Sequence, residues 1–206
     1  MSSVGVVNVH QCDKIGHELA VAVHDLSGIV LFAHNSIEFT DIVDVLNLIR
    51  SGQFCTILYI SLIRSYRYMK AVMDQHPLQN KRIGVIDCVS GFTFPVEDRI
   101  DDCLYHKPPH DLEDMKEIIA FGVEKTNPDV IVFDSLSQFI NFSQPSEEDL
   151  HGLSNFLRSL QDDTMNVVQN TMMFLYDDRL GATKYLSRMA VNTLIKLELT
   201  KDKARC

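Results

Sequence analysis

Acids stand at the ends of several apolar runs. Asp87 closes RIGVID, Asp134 closes VIVFD, and Asp177 with Asp178 follows TMMFLY. In an open α/β sheet, ligands bind beyond the carboxyl ends of the strands, and carboxylate oxygens that meet there can hold a hard divalent cation. Asp134, Asp87 and Asp177 are therefore the candidate metal ligands. Asp134 and Ser135, with Asn35 and Ser36 after the run GIVLFAH, are the candidate contacts to a cofactor or small ligand. The plainer reading has more weight: aspartate at a strand end is common turn and cap chemistry. Only a meeting in space would make these residues a site.

A phosphate cradle is missing. Such a loop wraps phosphates with glycine N–H groups and neutralises them with a lysine, in the pattern G-x-x-x-x-G-K-[ST]. None of the nine glycines is followed by lysine. A hydrolase elbow of the form G-x-S-x-G is also absent, and Cys88 has no evident histidine partner. Cys103, His106 and His110 give C-x2-H-x3-H, a spacing that can hold zinc. A second close pair of ligands is lacking, so a solvated loop is the better reading. Arg64, Tyr66, Arg67, Tyr68 and Lys70 mix bases with aromatics. Such a face suits nucleic acid or an acidic partner, with a partner protein favoured in this acidic chain, although a solvated helix with Tyr66 and Met69 turned inward is the commoner outcome.

The elements that must position these residues alternate between apolar strands and amphipathic helices. That is the pattern of a mostly parallel sheet covered on both faces, a three-layer α/β/α sandwich. Strands are expected at 19–23, 28–34, 55–61, 82–87, 130–133, 171–176 and 193–199. A helix from Glu38 to Arg50 carries Ile42, Val45, Leu46 and Ile49 on one stripe, with Gly52 placed to stop it. Tyr66 to Gln75 is the next. Asp111 is the expected cap of a helix from Leu112 to Lys125. Ser146 with Asp149 three residues on is a variant capping box before the stripe Leu150, Leu153, Leu157 and Leu160. The stretch from Cys88 to His110 is long for a connection in a compact domain, which marks it as functional or mobile.

Composition bounds the answer. The 206 residues suit one domain with a sizeable core, and the net charge of −9 argues against broad contact with nucleic-acid phosphates. No apolar run approaches the roughly 20 residues that span a bilayer, and no secretory leader is evident. The five cysteines are odd in number and scattered, as expected of reduced thiols in the cytoplasm.

The order of these segments, over about Gly28 to Leu199, resembles the RecA-like ATPase superfamily, in particular its KaiC and RadA branch of archaea and bacteria. VIVFDSLSQFI (Val130 to Ile140) looks like the Walker B strand, and Asp134 matches the aspartate that orients magnesium in active members. SGIVLFAHNS (Ser27 to Ser36) stands where a strand leads into the phosphate loop. RMAVNTLIKLEL (Arg188 to Leu199) looks like the late strand of the same family. The departures decide the functional expectation. Asn35, Ser36 and Ile37 offer no glycine or lysine where the phosphate loop belongs. The following helix opens with Glu38, Asp41 and Asp44, which satisfy its dipole and repel polyphosphate. Leu62 and Ile63 hold the place of the catalytic acid.

The resemblance thus implies a catalytically inactive RecA/KaiC-like domain, a regulatory or scaffolding subunit with no resident cofactor. Its partners would be proteins: further copies of itself or an active KaiC/RecA-like paralogue. Arg64, Arg67, Lys184 and Arg188 are the candidate interface residues. Neither nucleic acid nor membrane is expected as a partner. The alternative is a protein that uses the acidic rim to bind a small ligand, or a nucleotide with magnesium.

Overall fold

The computed structural model describes residues 6–9, 21, 23–24, 26–34, 38–90, 102–140, 144–162, 171–177, 184–185, 189 and 191–197. Among the described residues the strands are β1 (Val6–Val9), β2 (Ile29–His34), β3 (Cys55–Ser61), β4 (Lys81–Asp87), β5 (Cys103–Tyr105), β6 (Val130–Asp134), β7 (Thr171–Asp177) and β8 (Thr193–Leu197). The helices fully described between them are α1 (Phe39–Leu48), α2 (Tyr66–Gln75), α3 (Leu112–Thr126) and α4 (Glu147–Asp162). The strands form one sheet in the order β1-β8-β2-β7-β6-β3-β4-β5, with every pairing parallel.

Parallel strands need crossovers, and a sheet covered on both faces needs strands that are apolar on both. Alternate residues serve opposite layers. Ile57 and Tyr59 of β3 join the core under α1 and α2, with Phe39, Leu46 and Met69. Leu58 and Ile60 join the core under α3 and α4, with Met115, Ile119, Leu153 and Leu157. The expected three-layer α/β/α sandwich is therefore the observed one. From β2 the chain crosses over β7 and β6 to β3, with α1 on the first face. From β5 it returns to β6 with α3 on the opposite face. Opposite travel on opposite faces gives these two crossovers the same hand, as the twist of parallel sheets requires.

Local chemistry sets the helix ends. Asp111 caps α3 by accepting from the N–H groups of Glu113 and Asp114, both at 2.9 Å. Ser146 and Asp149 exchange both capping-box bonds at 3.0 Å. α1 is shorter than its expected span to Arg50. The chain leaves it through Arg50 (φ 45°) and Gly52 (φ 80°), and the guanidinium of Arg50 is anchored on Asp129 at 3.2 Å. Gly122 of α3 lies so close to the sheet that a Cβ there would meet Leu58 Cδ2 at 2.5 Å.

The structure corrects one expected strand. In the 19–23 segment, the described residues Val21 and Val23 are helical, and Val23 is fully buried. Two β-branched valines suggested a strand, but the neighbouring leucine and alanines favour helix, and packing selects it. Two strands carried too little signal to be expected. β1 is four residues long, and β5 is a three-residue edge strand inside the Cys88–His110 stretch. No helix among the described residues is long and apolar enough to cross a membrane.

Candidate functional site

β3 and β6 are neighbours whose following helices leave to opposite faces, α2 to one and α4 to the other. A crevice forms at such a reversal, and it is where open α/β sheets bind ligands. Register places Ser61 opposite Asp134 at this reversal.

Asp134 is fully buried, and its Oδ2 is the centre of the site. The Tyr59 hydroxyl donates to it at 2.7 Å, and the Arg64 guanidinium forms an ion pair with it. The arginine is presented by a tight loop. Ser61 Oγ accepts from the Arg64 N–H at 3.0 Å and donates to the Arg64 carbonyl at 2.7 Å. The Leu62 N–H donates to the Asp134 carbonyl at 2.6 Å. Phe39, at the start of α1, lies beneath the arginine with its ring centroid 6.0 Å away, and packs edge-on against Tyr59 at 5.7 Å. The Asp134 Oδ1 is buried and has no hydrogen-bond partner among the described residues.

The electrostatics follow from burial. Tyr59 is pushed well above the ordinary phenol range, first by loss of solvent and then by the charge of Asp134. For Arg64, burial works against the charged form, yet Asp134 and Tyr59 outweigh it and leave the guanidinium above its ordinary value. The site is thus an internal ion pair with a hydroxyl donor, sealed by an aromatic ring. Removing one member of such a pair leaves an uncompensated buried charge, a loss of about 3–5 kcal/mol.

Asp87 has the same position at the end of β4 and is also fully buried. Its Oδ2 accepts from the Tyr66 N–H at 2.7 Å, and its Oδ1 accepts from those of Val89 and Ser90, both at 2.8 Å. It is a structural acid that ties the start of α2 to the turn after β4. Asp177 is half-buried, and its backbone N–H donates to Ser137 Oγ at 2.9 Å. Ser135 Oγ accepts from the Ser137 N–H at 3.1 Å and lies 3.0 Å from Ser137 Oγ. The Asp134–Ser135 peptide between the two candidate residues is cis.

Of the expected cofactor contacts, Asp134 and Ser135 are adjacent here, while Asn35 and Ser36 lie outside the described residues. The expected metal set of Asp134, Asp87 and Asp177 does not assemble. Among the described residues no group of three or more His, Cys, Asp or Glu side chains is placed to hold a metal ion. The reason is chemical: the lone pairs of Asp87 serve backbone donors, and Asp134 already faces a cation. Asp178 lies outside the described residues. Arg64 and Tyr59 both occupy Asp134 Oδ2, so a cation at that oxygen would meet the guanidinium charge.

Of the expected interface residues, Arg64 turns inward with its side chain only 14% exposed. Arg67 and Lys184 are exposed, and Arg188 lies outside the described residues. Cys103 is buried in β5, and burial with the nearby charge of Asp87 pushes its thiol up to about 12. His106 Nδ1 lies 2.7 Å from the Lys107 carbonyl and His110 is exposed; among the described residues, these side chains and Cys103 do not form a group placed to hold a metal ion. Tyr59 and Phe39 were not singled out by the sequence, since they read as ordinary core residues. Only the strand order brings Tyr59 to Asp134, which is 75 residues away. No protein-family model and no curated protein sequence matches the chain.

Proposed function

We propose that the chain is a RecA/KaiC-like domain that does not hydrolyse nucleotide and works in the cytoplasm as a regulatory or scaffolding subunit, through contacts with other proteins. The observation that carries this reading is the Arg64–Asp134 pair. In the resemblance, Asp134 is the residue that would orient magnesium, and here its charge is met by the chain's own guanidinium. Phe39 supports that arginine from the start of α1, the helix that would otherwise face phosphate. The helix begins with Glu38, whose N–H donates to Asp41 Oδ2 at 3.0 Å, so its positive end is met from within. Partners would be further copies of the chain or an active paralogue, with Arg67 and Lys184 on exposed surface.

Titration calorimetry with ATP, ADP and magnesium tests this directly. The expected outcome is no nucleotide binding tighter than millimolar. Micromolar binding of ATP with magnesium that Asp134→Ala abolishes would overturn it. That result would favour the second reading, a protein that binds a small ligand or nucleotide at the strand ends. One observation speaks for it: Asp134 Oδ1 is buried without a partner among the described residues, and such an atom calls for a hydrogen-bond donor.

A further inference from the structure

On the face covered by α3 and α4, near the strand ends, lies a cavity of about 430 Å³. That size is within the roughly 300–1,000 Å³ of ligand pockets. Its lining is mixed: Leu62, Leu112, Phe139 and Ile140 form an apolar side, and Gln138 and His110 add polar groups beside Pro108 and Pro109. Its rim is acidic, with Asp111 at the cap of α3 and Glu148 and Asp149 in the first turn of α4. Asp111 and Asp149 are fixed in place by the N–H groups they accept from. Among the described residues, no lysine or arginine forms an ion pair with any of the three, whereas Arg50, Arg64, Lys70 and Lys125 pair with other acids. Gly152, one turn further along α4, also lines the cavity, and nothing lies within 4 Å of the point where a Cβ would stand. The helix therefore leaves the space above it open.

We propose that this cavity is a docking pocket for an extended segment of a partner protein that presents an arginine or lysine beside an apolar side chain. The chemistry is complementary on both counts. The apolar side of the lining takes the apolar side chain and the methylene stem of the basic one. The three rim carboxylates meet its charged head, which stays partly in water. A purely aliphatic ligand would leave Glu148 without a counter-charge, and an acidic one would face all three carboxylates. The inference rests on the reading of this domain as one that works through protein contacts, and it supplies the contact. It is separable from the nucleotide question, because nucleotide bound at Asp134 would sink that reading and leave this cavity's behaviour unchanged.

The test is an amide ¹⁵N–¹H titration of the full chain with a capped Ala-Leu-Arg-Ala peptide, against Ala-Leu-Glu-Ala as control. The arginine peptide is expected to give saturable shifts at Leu112, Phe139, Ile140 and Gly152 at millimolar concentration, and the glutamate peptide none. Glu148→Gln should weaken the binding about threefold, the scale of an exposed charge pair. Gly152→Leu should abolish it by filling the cavity. That substitution also replaces glycine with a good helix former in open space, so its urea midpoint should not fall, and loss of binding cannot be loss of fold. No shift from the arginine peptide, equal shifts from the glutamate peptide, or shifts that survive Gly152→Leu would overturn the proposal. So would spermidine giving the same shifts at the same concentration, which would mark a small-amine site. A doubling of mass in sedimentation that Gly152→Leu removes would assign the cavity to a second copy and overturn it equally.

Discussion

The carboxyl ends of β4 and β6 carry the same residue in the same setting, with different consequences. Asp87 and Asp134 flank β3, and both are fully buried. Asp87 divides its two oxygens among three backbone N–H groups, so it holds loops together and has little capacity left. Asp134 places a hydroxyl and a guanidinium on one oxygen and leaves the other without a partner among the described residues. Buried charge is tolerated in both cases for different reasons, hydrogen bonding in one and ion pairing in the other. The lesson is that an acid at a strand end is not a functional signal by itself. What distinguishes Asp134 is that its partners are side chains drawn from β3 and the loop after it, so substitution can alter them without breaking the backbone.

The largest expected effect tests that distinction. Arg64→Met strands the buried Asp134 charge and should lower stability by about 3–5 kcal/mol, read from urea denaturation. Arg64→Met combined with Asp134→Asn should recover most of the loss. A double variant as unstable as the single one would show that Arg64 matters for packing alone. Next is Asp87→Asn. An amide cannot accept on both sides, so one set of backbone N–H groups loses its charged acceptor, about 2 kcal/mol, and no compensating side-chain variant should rescue it. Rescue by a neighbouring substitution would erase the contrast with Asp134.

The smallest effect concerns alkali. Cys88 and Cys103 are both pushed up to about 12 from 9.0, by burial first and the charge of Asp87 second. In that window the folded state holds protons that the unfolded chain has released, so stability is complete below about pH 9 and is lost as pH rises toward 12. Urea midpoints measured from pH 8 to 11 should fall, and fall less steeply in Asp87→Asn. An identical slope in the two proteins would remove Asp87 as a cause. At pH 8 both thiols should resist alkylation in the folded protein, since thiolate is scarce.

Much of the frame was legible in the residues. The caps at Asp111 and Ser146 are local chemistry, and the helices begin where those residues require. Strand runs such as CTILYIS are apolar on both faces, and only a covered parallel sheet uses such strands. The candidate site was legible only in part. Asp134 stood out because an acid ends an apolar run, but its partners could not be named. Arg64 reads as a solvent-facing base in ISLIRSYR, and Tyr59 as one more core aromatic. The three-residue β5 carries too few residues for any period to show.

The sequence alone thus determined the α/β alternation, the capped helix starts and the lack of a glycine–lysine phosphate cradle, because each depends on residues close together in the chain. The tertiary structure alone decided that β6 lies beside β3, and hence that Tyr59 and Arg64 reach Asp134 across 75 and 70 positions. It also decided that α3, α4 and the turn after β6 border a cavity that sets apolar side chains beside Asp111, Glu148 and Asp149. The physical reason is that strand order is set by which crossovers bury the most apolar surface over the whole sheet, and no local pattern encodes that sum.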